Sequence, residues 1–135
     1  MDAFKVTIEV PIAWGDMDAF GHVNNTVFFR LFESARMAYL HEIGFAGDQS
    51  SQGPILHSTH CRFRKAITYP ETVHVGARIT EVTDDRFTME YQIVAGDGEI
   101  AGYGGGIVVA YDYAANQKIP LPAAVREAIR RLDGV

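Results

Sequence analysis

The chain has 135 residues, 47% of them hydrophobic, and a formal net charge of −5. That length and apolar fraction predict one compact domain over 1–135 with a core of its own. The acidic balance speaks against a nucleic-acid partner, which needs a basic face to replace phosphate counterions.

No apolar run approaches the roughly 18 residues of a membrane span, and the first residues lack the basic and apolar regions of a signal peptide, so the expected location is the cytoplasm. The single cysteine, Cys61, has no partner for a disulfide or a zinc site and reads as a small core residue of a strand.

Residues 4–14 alternate without a break, with Phe4, Val6, Ile8, Val10, Ile12 and Trp14 on one face. This predicts a half-buried strand, and Pro11, which cannot donate to a ladder, places it at an edge or bulge. A Gly- and Asp-rich turn over 15–23 leads into a helical period over 24–43. There Val27, Phe28, Leu31, Phe32, Ala35, Tyr39, Leu40 and Ile43 recur at three- and four-residue steps, and Gly44 supplies the stop. So wide an apolar arc requires a sheet that covers the helix.

The patternless stretch 47–53 reads as a loop. Four strands follow, over 54–67, 72–83, 86–95 and 99–113, punctuated by Tyr69-Pro70, Asp84-Asp85 and Gly96-Asp97-Gly98, which predicts a largely antiparallel sheet. A short amphipathic helix over 122–132 closes the sequence. The run Gly102-Tyr103-Gly104-Gly105-Gly106 is unusual in a strand and marks a bulge or a close approach, to the helix, a partner subunit or a ligand.

Chemistry concentrates where the first turn meets the long helix: Asp16, Asp18, His22, Asn24 and Asn25 converge on one helix N-terminus. A helix start exposes unpaired N–H groups carrying about half a positive charge, which suits it to hold a carbonyl oxygen as that oxygen becomes negative. A carboxylate just upstream attacks the polarised carbon or directs water onto it. Asp16 and Asp18 also read as turn-capping residues, and Asn24 and Asn25 as helix caps. His22 either orients Asp18 or the substrate, or makes a structural hydrogen bond. Glu33 and Arg36 are spaced as an ordinary helical pair.

The segment Asp16-Met17-Asp18-Ala19-Phe20-Gly21-His22-Val23-Asn24-Asn25, followed by Phe28 and Glu33-Ser34-Ala35-Arg36, resembles the acyl-CoA thioesterases of the 4-hydroxybenzoyl-CoA thioesterase family. The resemblance implies an α+β fold: a single hotdog domain with an antiparallel five-stranded sheet wrapped around a long central helix. It implies hydrolysis of an acyl thioester to a free acid and coenzyme A, without metal or redox cofactor, coenzyme A being part of the substrate. Asp18 matches the family's nucleophile or general base, and Asn25 the position whose backbone N–H polarises the thioester carbonyl. It also implies a homodimer joined edge to edge, commonly paired into a tetramer. A thioesterase acting on acyl-carrier protein and a non-catalytic acyl-CoA-binding module stay open as alternatives.

For the acyl pocket the helix offers Val27, Phe28 and Leu31. For the phosphates of coenzyme A, His60, Arg62 and Arg64 share one face of the second strand, with Arg78 and His74 in the same phase on the next, and Arg86 stands at a strand start. A solvated sheet face accounts for these cations more simply. The five histidines form no metal-binding spacing, and no Gly-x-Ser-x-Gly elbow occurs.

Overall fold

A computed structural model describes residues 1–46 and 51–135. β1 (Val6–Pro11) passes through a 3-10 turn at Trp14–Asp16 into α1 (Asn25–Glu42), and then come β2 (Gln52–Phe63), β3 (Thr72–Val82), β4 (Arg86–Val94), β5 (Ile100–Asp112), the short β6 (Gln117–Lys118) and α2 (Ala123–Asp133). The fold is α+β, one sheet in the order β1-β3-β4-β5-β2 with β6 paired to the end of β5, every pairing antiparallel.

α1 follows its periodicity closely. Asn24 caps its first turn, Gly44 in a left-handed conformation ends it, and Val27, Phe28, Leu31, Phe32, Ala35, Tyr39 and Leu40 are buried. They join Val73, Val75 and Ala77 of β3 and Phe87, Met89, Tyr91 and Ile93 of β4 in one apolar cluster. The Phe32 ring stacks on Tyr91 with centroids 4.8 Å apart. Full burial of each such side chain stabilises the fold by about 1.5–3 kcal/mol, so this layer between helix and sheet supplies most of the driving force. The second helix closes one end: Val125 and Ile129 are buried, and the Asp133 carboxylate accepts from the Tyr39 hydroxyl and, at 2.9 Å, from the Ile79 N–H.

Strand ends depart from the alternation pattern where backbone bonds to distant segments set them. The first strand stops at Pro11, not at 14: Ile12 turns its N–H to the Glu71 carbonyl, and Trp14 leaves the sheet at 72% exposure. The second begins at Gln52, inside the stretch read as a loop, whose residues 47–50 lie outside the described residues. It ends at Phe63, not at 67, because the Arg64 and Lys65 N–H groups both donate to the Ala101 carbonyl. β6 is an addition to the five strands of the sequence reading.

The glycine run on β5 is explained by its neighbours in the sheet. A Cβ at Gly104 would lie 2.0 Å from the His60 carbonyl oxygen, one at Gly105 2.3 Å from that of Met89, and one at Gly106 2.2 Å from that of Ser58. Only a residue without a side chain lets β5 lie this close to both flanking strands. At Gly102 the close approach is to the helix, since a Cβ there would meet the Phe28 ring at 2.9 Å.

Candidate active site

Asp18 stands on a tight loop that the backbone closes onto itself. Met17 and Val23 form an isolated antiparallel bridge, the Asp18 N–H donates to the His22 carbonyl at 2.9 Å, and the Gly21 N–H returns to the Asp18 carbonyl at 3.1 Å. The chain can turn this sharply because Gly21 takes a φ of +78°. One carboxylate oxygen of Asp18 accepts the Phe20 N–H at 2.9 Å, the side-chain turn typical of aspartate, and its other oxygen has no partner among the described residues. The carboxylate is therefore oriented yet half free, on an exposed loop.

Asp16 does different work. Its Oδ2 accepts the Ala13 N–H at 2.9 Å and its Oδ1 the Arg30 guanidinium at 2.6 Å, while its carbonyl accepts the Asn24 N–H at 3.0 Å. These three bonds tie the 3-10 turn, the loop and the first turns of α1 into one unit. Asp16 is thus structural.

At the helix start the two asparagines differ, Asn24 making the cap. The Asn24 side chain accepts from the Thr26 N–H at 2.9 Å and the Thr26 hydroxyl at 3.0 Å, and its carbonyl takes the Val27 N–H. The Asn25 N–H is left without an acceptor among the described residues, at the positive end of the helix.

A cavity of about 330 Å³ opens at this point, lined by His22, Val23, Asn25, Phe28 and Phe63, with Arg64, Lys65 and Ala66 at its side. The His22 imidazole has no hydrogen-bond partner among the described residues. Phe28 and Phe63 meet edge to face, centroids 5.0 Å apart, and make the apolar wall. Asp18 does not itself line the cavity; its loop joins it through the bond to His22.

The remaining sequence candidates scatter. Val27 and Leu31 sit in the core between helix and sheet, behind Phe28. Arg64 borders the cavity, its guanidinium 6.0 Å from the centre of the Tyr103 ring, and Arg62 is exposed one residue before Phe63 on β2. Arg86 is held by the Asp85 carboxylate at 2.8 Å, which raises the guanidinium's proton affinity and lowers that of Asp85. It pairs with Val109, whereas Arg62 pairs with Tyr103, so it lies toward the opposite end of the sheet. Arg36 is buried against Tyr91, donating to its hydroxyl at 3.3 Å, with Glu33 at 3.8 Å.

Neither Phe63 nor the Asp16–Arg30 pair stands out in the sequence. The strand alternation that puts Phe63 in phase with Cys61, away from Arg62, is the signal that finds the first; the second joins residues too distant in sequence to pair by pattern.

Similar proteins bear on this arrangement. Residues 12–129 match the family model of the Thioesterase-like superfamily. A Thermus thermophilus thioesterase, solved as a complex with coenzyme A and Zn, superposes with a TM-score of 0.89 at 31% identity, over 100% of this chain and 99% of that one. A bifunctional L-carnitine dehydrogenase/betainyl-CoA thioesterase of Agrobacterium fabrum is 24% identical over 93% of this chain, and an uncharacterised Bacillus subtilis protein 22% identical over 66% of it. The matches span 26% and 60% of these two proteins' own lengths. The α+β architecture, with an antiparallel sheet over a buried helix, is that of a hotdog thioesterase fold, and the chain belongs to the Thioesterase-like superfamily.

Proposed function

We propose that this chain is an acyl-CoA thioesterase, cleaving an acyl thioester to a carboxylic acid and coenzyme A at the cavity beside His22 and Asn25. The observation that carries the reading is the Asn25 N–H: the backbone donor of the first helical turn that capping leaves unused among the described residues, bordering an apolar-walled cavity whose His22 is bonded to the loop that carries the half-free Asp18 carboxylate. Membership of a thioesterase superfamily supports it.

In this reading the thioester oxygen accepts the Asn25 N–H, which strengthens as charge develops on that oxygen. Asp18 then attacks the carbonyl carbon, giving a mixed anhydride that water opens, or takes a proton from a water that attacks directly. The carbon–sulfur bond breaks and the thiolate of coenzyme A leaves. Because a thiolate is a good leaving group, the chemistry needs neither metal nor redox cofactor, and activity is expected to survive dialysis against a chelator.

His22, without a side-chain partner among the described residues, hydrogen-bonds the substrate. Phe28 and Phe63 flank the acyl group, backed by Val27 and Leu31 from the core. Arg64 and Arg62 supply positive charge toward the phosphates of coenzyme A; Arg86, neutralised by Asp85, is the weakest of the three candidates. The outer edge of β2, which no other strand among the described residues covers, supports a homodimer, or a tetramer built from dimers, as the working form.

The test is thiol release from short, long and aromatic acyl-CoAs by the native chain and by Asp18→Asn. Loss of the carboxylate is expected to lower kcat by about 10²–10⁴-fold. Turnover untouched by the substitution would remove Asp18 from the mechanism, and no turnover of any acyl-CoA would remove the reading.

A further inference from the structure

On the sheet face opposite α1 lies a cavity of about 750 Å³, larger than the one at the helix start and within the range of organic-ligand sites. Its origin is legible in the register. His60, Gly105, Glu90 and Arg78 pair across β2, β5, β4 and β3 and so share the outer face; the next row reads Arg62, Tyr103, Gln92 and Gly76. Each row contains a glycine. Gly76 is roofed by the N-terminal segment, since a Cβ there would meet the Phe4 ring at 2.6 Å and the Met1 methyl at 2.9 Å. Gly105 has no such cover, and the gap it leaves between His60 and Glu90 opens into the cavity, with Met1 and Phe4 as one wall and Tyr103 and Ile100 as another.

The charges here are unevenly matched. Arg78 holds the Glu90 carboxylate through two bonds of 2.9 and 2.6 Å, so that this acid presents little free charge. His60 and Arg64 have no carboxylate partner among the described residues, and Arg62 on the same strand face has none either. Both arginines that line the cavity also rest near aromatic rings: Arg78 at 5.0 Å from the Phe4 centroid, Arg64 at 6.0 Å from that of Tyr103. A protein of net charge −5 thus gathers unpaired donors around a hollow with flat apolar walls. That combination fits a phosphorylated heteroaromatic: phosphates for His60 and Arg64, a ring for Tyr103 and Phe4.

Arg64 lines this cavity and also the one formed by His22, Asn25, Phe28 and Phe63. The two hollows therefore meet at its side chain, around the end of β2. Resting on the acyl-CoA reading above, we infer that the outer cavity receives the adenosine phosphate end of coenzyme A, the connecting arm passing Arg64 to bring the thioester to the Asn25 N–H.

The experiment pairs two substrates carrying the same acyl group, the CoA thioester and the N-acetylcysteamine thioester, which lacks the nucleotide, with calorimetric titration of adenosine 3′,5′-bisphosphate. In His60→Glu and in Tyr103→Ala, KM for the CoA ester is expected to rise roughly tenfold with kcat within about twofold, the scale of losing one charge-assisted or stacking contact. The N-acetylcysteamine ester is expected to be hydrolysed as by the native chain. The bisphosphate is expected to bind the native chain and Asp18→Asn alike, and each outer-face variant about tenfold more weakly. Melting temperatures and N-acetylcysteamine turnover monitor folding.

No saturable binding of the bisphosphate to the native chain would overturn the inference, as would unchanged KM for the CoA ester in both variants. Bisphosphate binding that His60→Glu weakens without any change in KM would show a site for a free nucleotide and likewise overturn it. Failure of the thioesterase reading is read separately, as no hydrolysis of either ester.

Discussion

Asp16 and Arg30 lie 14 positions apart and meet at 2.6 Å, the acid 13% and the base 57% exposed at the side chain. One end of this pair belongs to the turn that precedes Asp18 and the other to the second turn of α1. The pair therefore fixes the loop carrying the proposed catalytic acid against the helix whose N-terminus holds the proposed oxyanion donor.

A substitution here should separate stability from rate. An ion pair with one partner this exposed contributes no more than about 1 kcal/mol, so Arg30→Met is expected to lower the melting temperature by only a few degrees. Loosening the loop misplaces Asp18 relative to Asn25, and misplacement on the order of 1 Å costs up to about 10²-fold in rate. Thioester hydrolysis measured beside a melting curve tests this: kcat is expected to fall at least tenfold in a protein that remains folded. Native kcat in Arg30→Met would show that the pair does not position the loop.

Gly105 is expected to tolerate no side chain. A Cβ would come within 2.3 Å of the Met89 carbonyl oxygen, backbone that cannot swing aside, in the middle of a sheet bonded on both edges. Gly105→Ala should force β4 and β5 apart and cost several kcal/mol, a large share of the 5–15 kcal/mol of a typical domain. Thermal unfolding followed by circular dichroism decides it; a melting temperature within about 2 °C of the native chain would contradict the close approach.

How far such features are legible in a sequence depends on how local they are. The helix over Asn25–Glu42 follows from a period of Val27, Leu31, Ala35 and Tyr39 and a glycine stop, all within one segment. The Asp18 turn and the helix start are equally local, each closed by bonds among near neighbours. Where β2 ends is not local, because it is set by Ala101 accepting from Arg64 and Lys65 across the sheet. The same holds for the glycine run, whose cause is carbonyls of β2 and β4, and for Arg86, which shares a residue type with Arg62 and Arg64 and lies toward the other end of the sheet. Alternation places a residue on a face; it does not say which residues of other strands stand beside it.

Cys61 should be a poorly reactive thiol near neutral pH. Burial pushes it up from the ordinary value to about 11, because the charged thiolate is disfavoured away from water. A raised value means that the protonated form persists until the pH approaches it. At pH 8 only about one thiol in a thousand is ionised, against roughly one in four for a free cysteine. Alkylation by iodoacetamide at pH 8 is expected to run on the order of 10²-fold slower than in a model peptide, and to accelerate nearly tenfold per pH unit up to about pH 10. A rate that levels off by pH 9 would show an ordinary thiol.

β2 presents the last prediction through what it lacks. Twelve residues long, it pairs with β5 along one edge and, among the described residues, with no strand along the other. Ile55, Leu56 and Phe63 on it are 38%, 41% and 49% exposed. A long edge strand with apolar side chains and free backbone groups is a template for another strand, and isolated proteins blunt such edges with charge, proline or a bulge. Here Pro54 and the shift of register between Leu56 and Ser58 interrupt the strand without covering it. A second copy of the same strand, run antiparallel, satisfies the free groups and covers the apolar side chains of both chains at once. Sedimentation is therefore expected to give a mass at least twice the 14.9 kDa of one chain. Ile55→Lys with Leu56→Lys, which places four like charges across the pairing, is expected to weaken association by tenfold or more while leaving the monomer folded. A native chain that sediments as a monomer at micromolar concentration would contradict the pairing and require another cover for this edge.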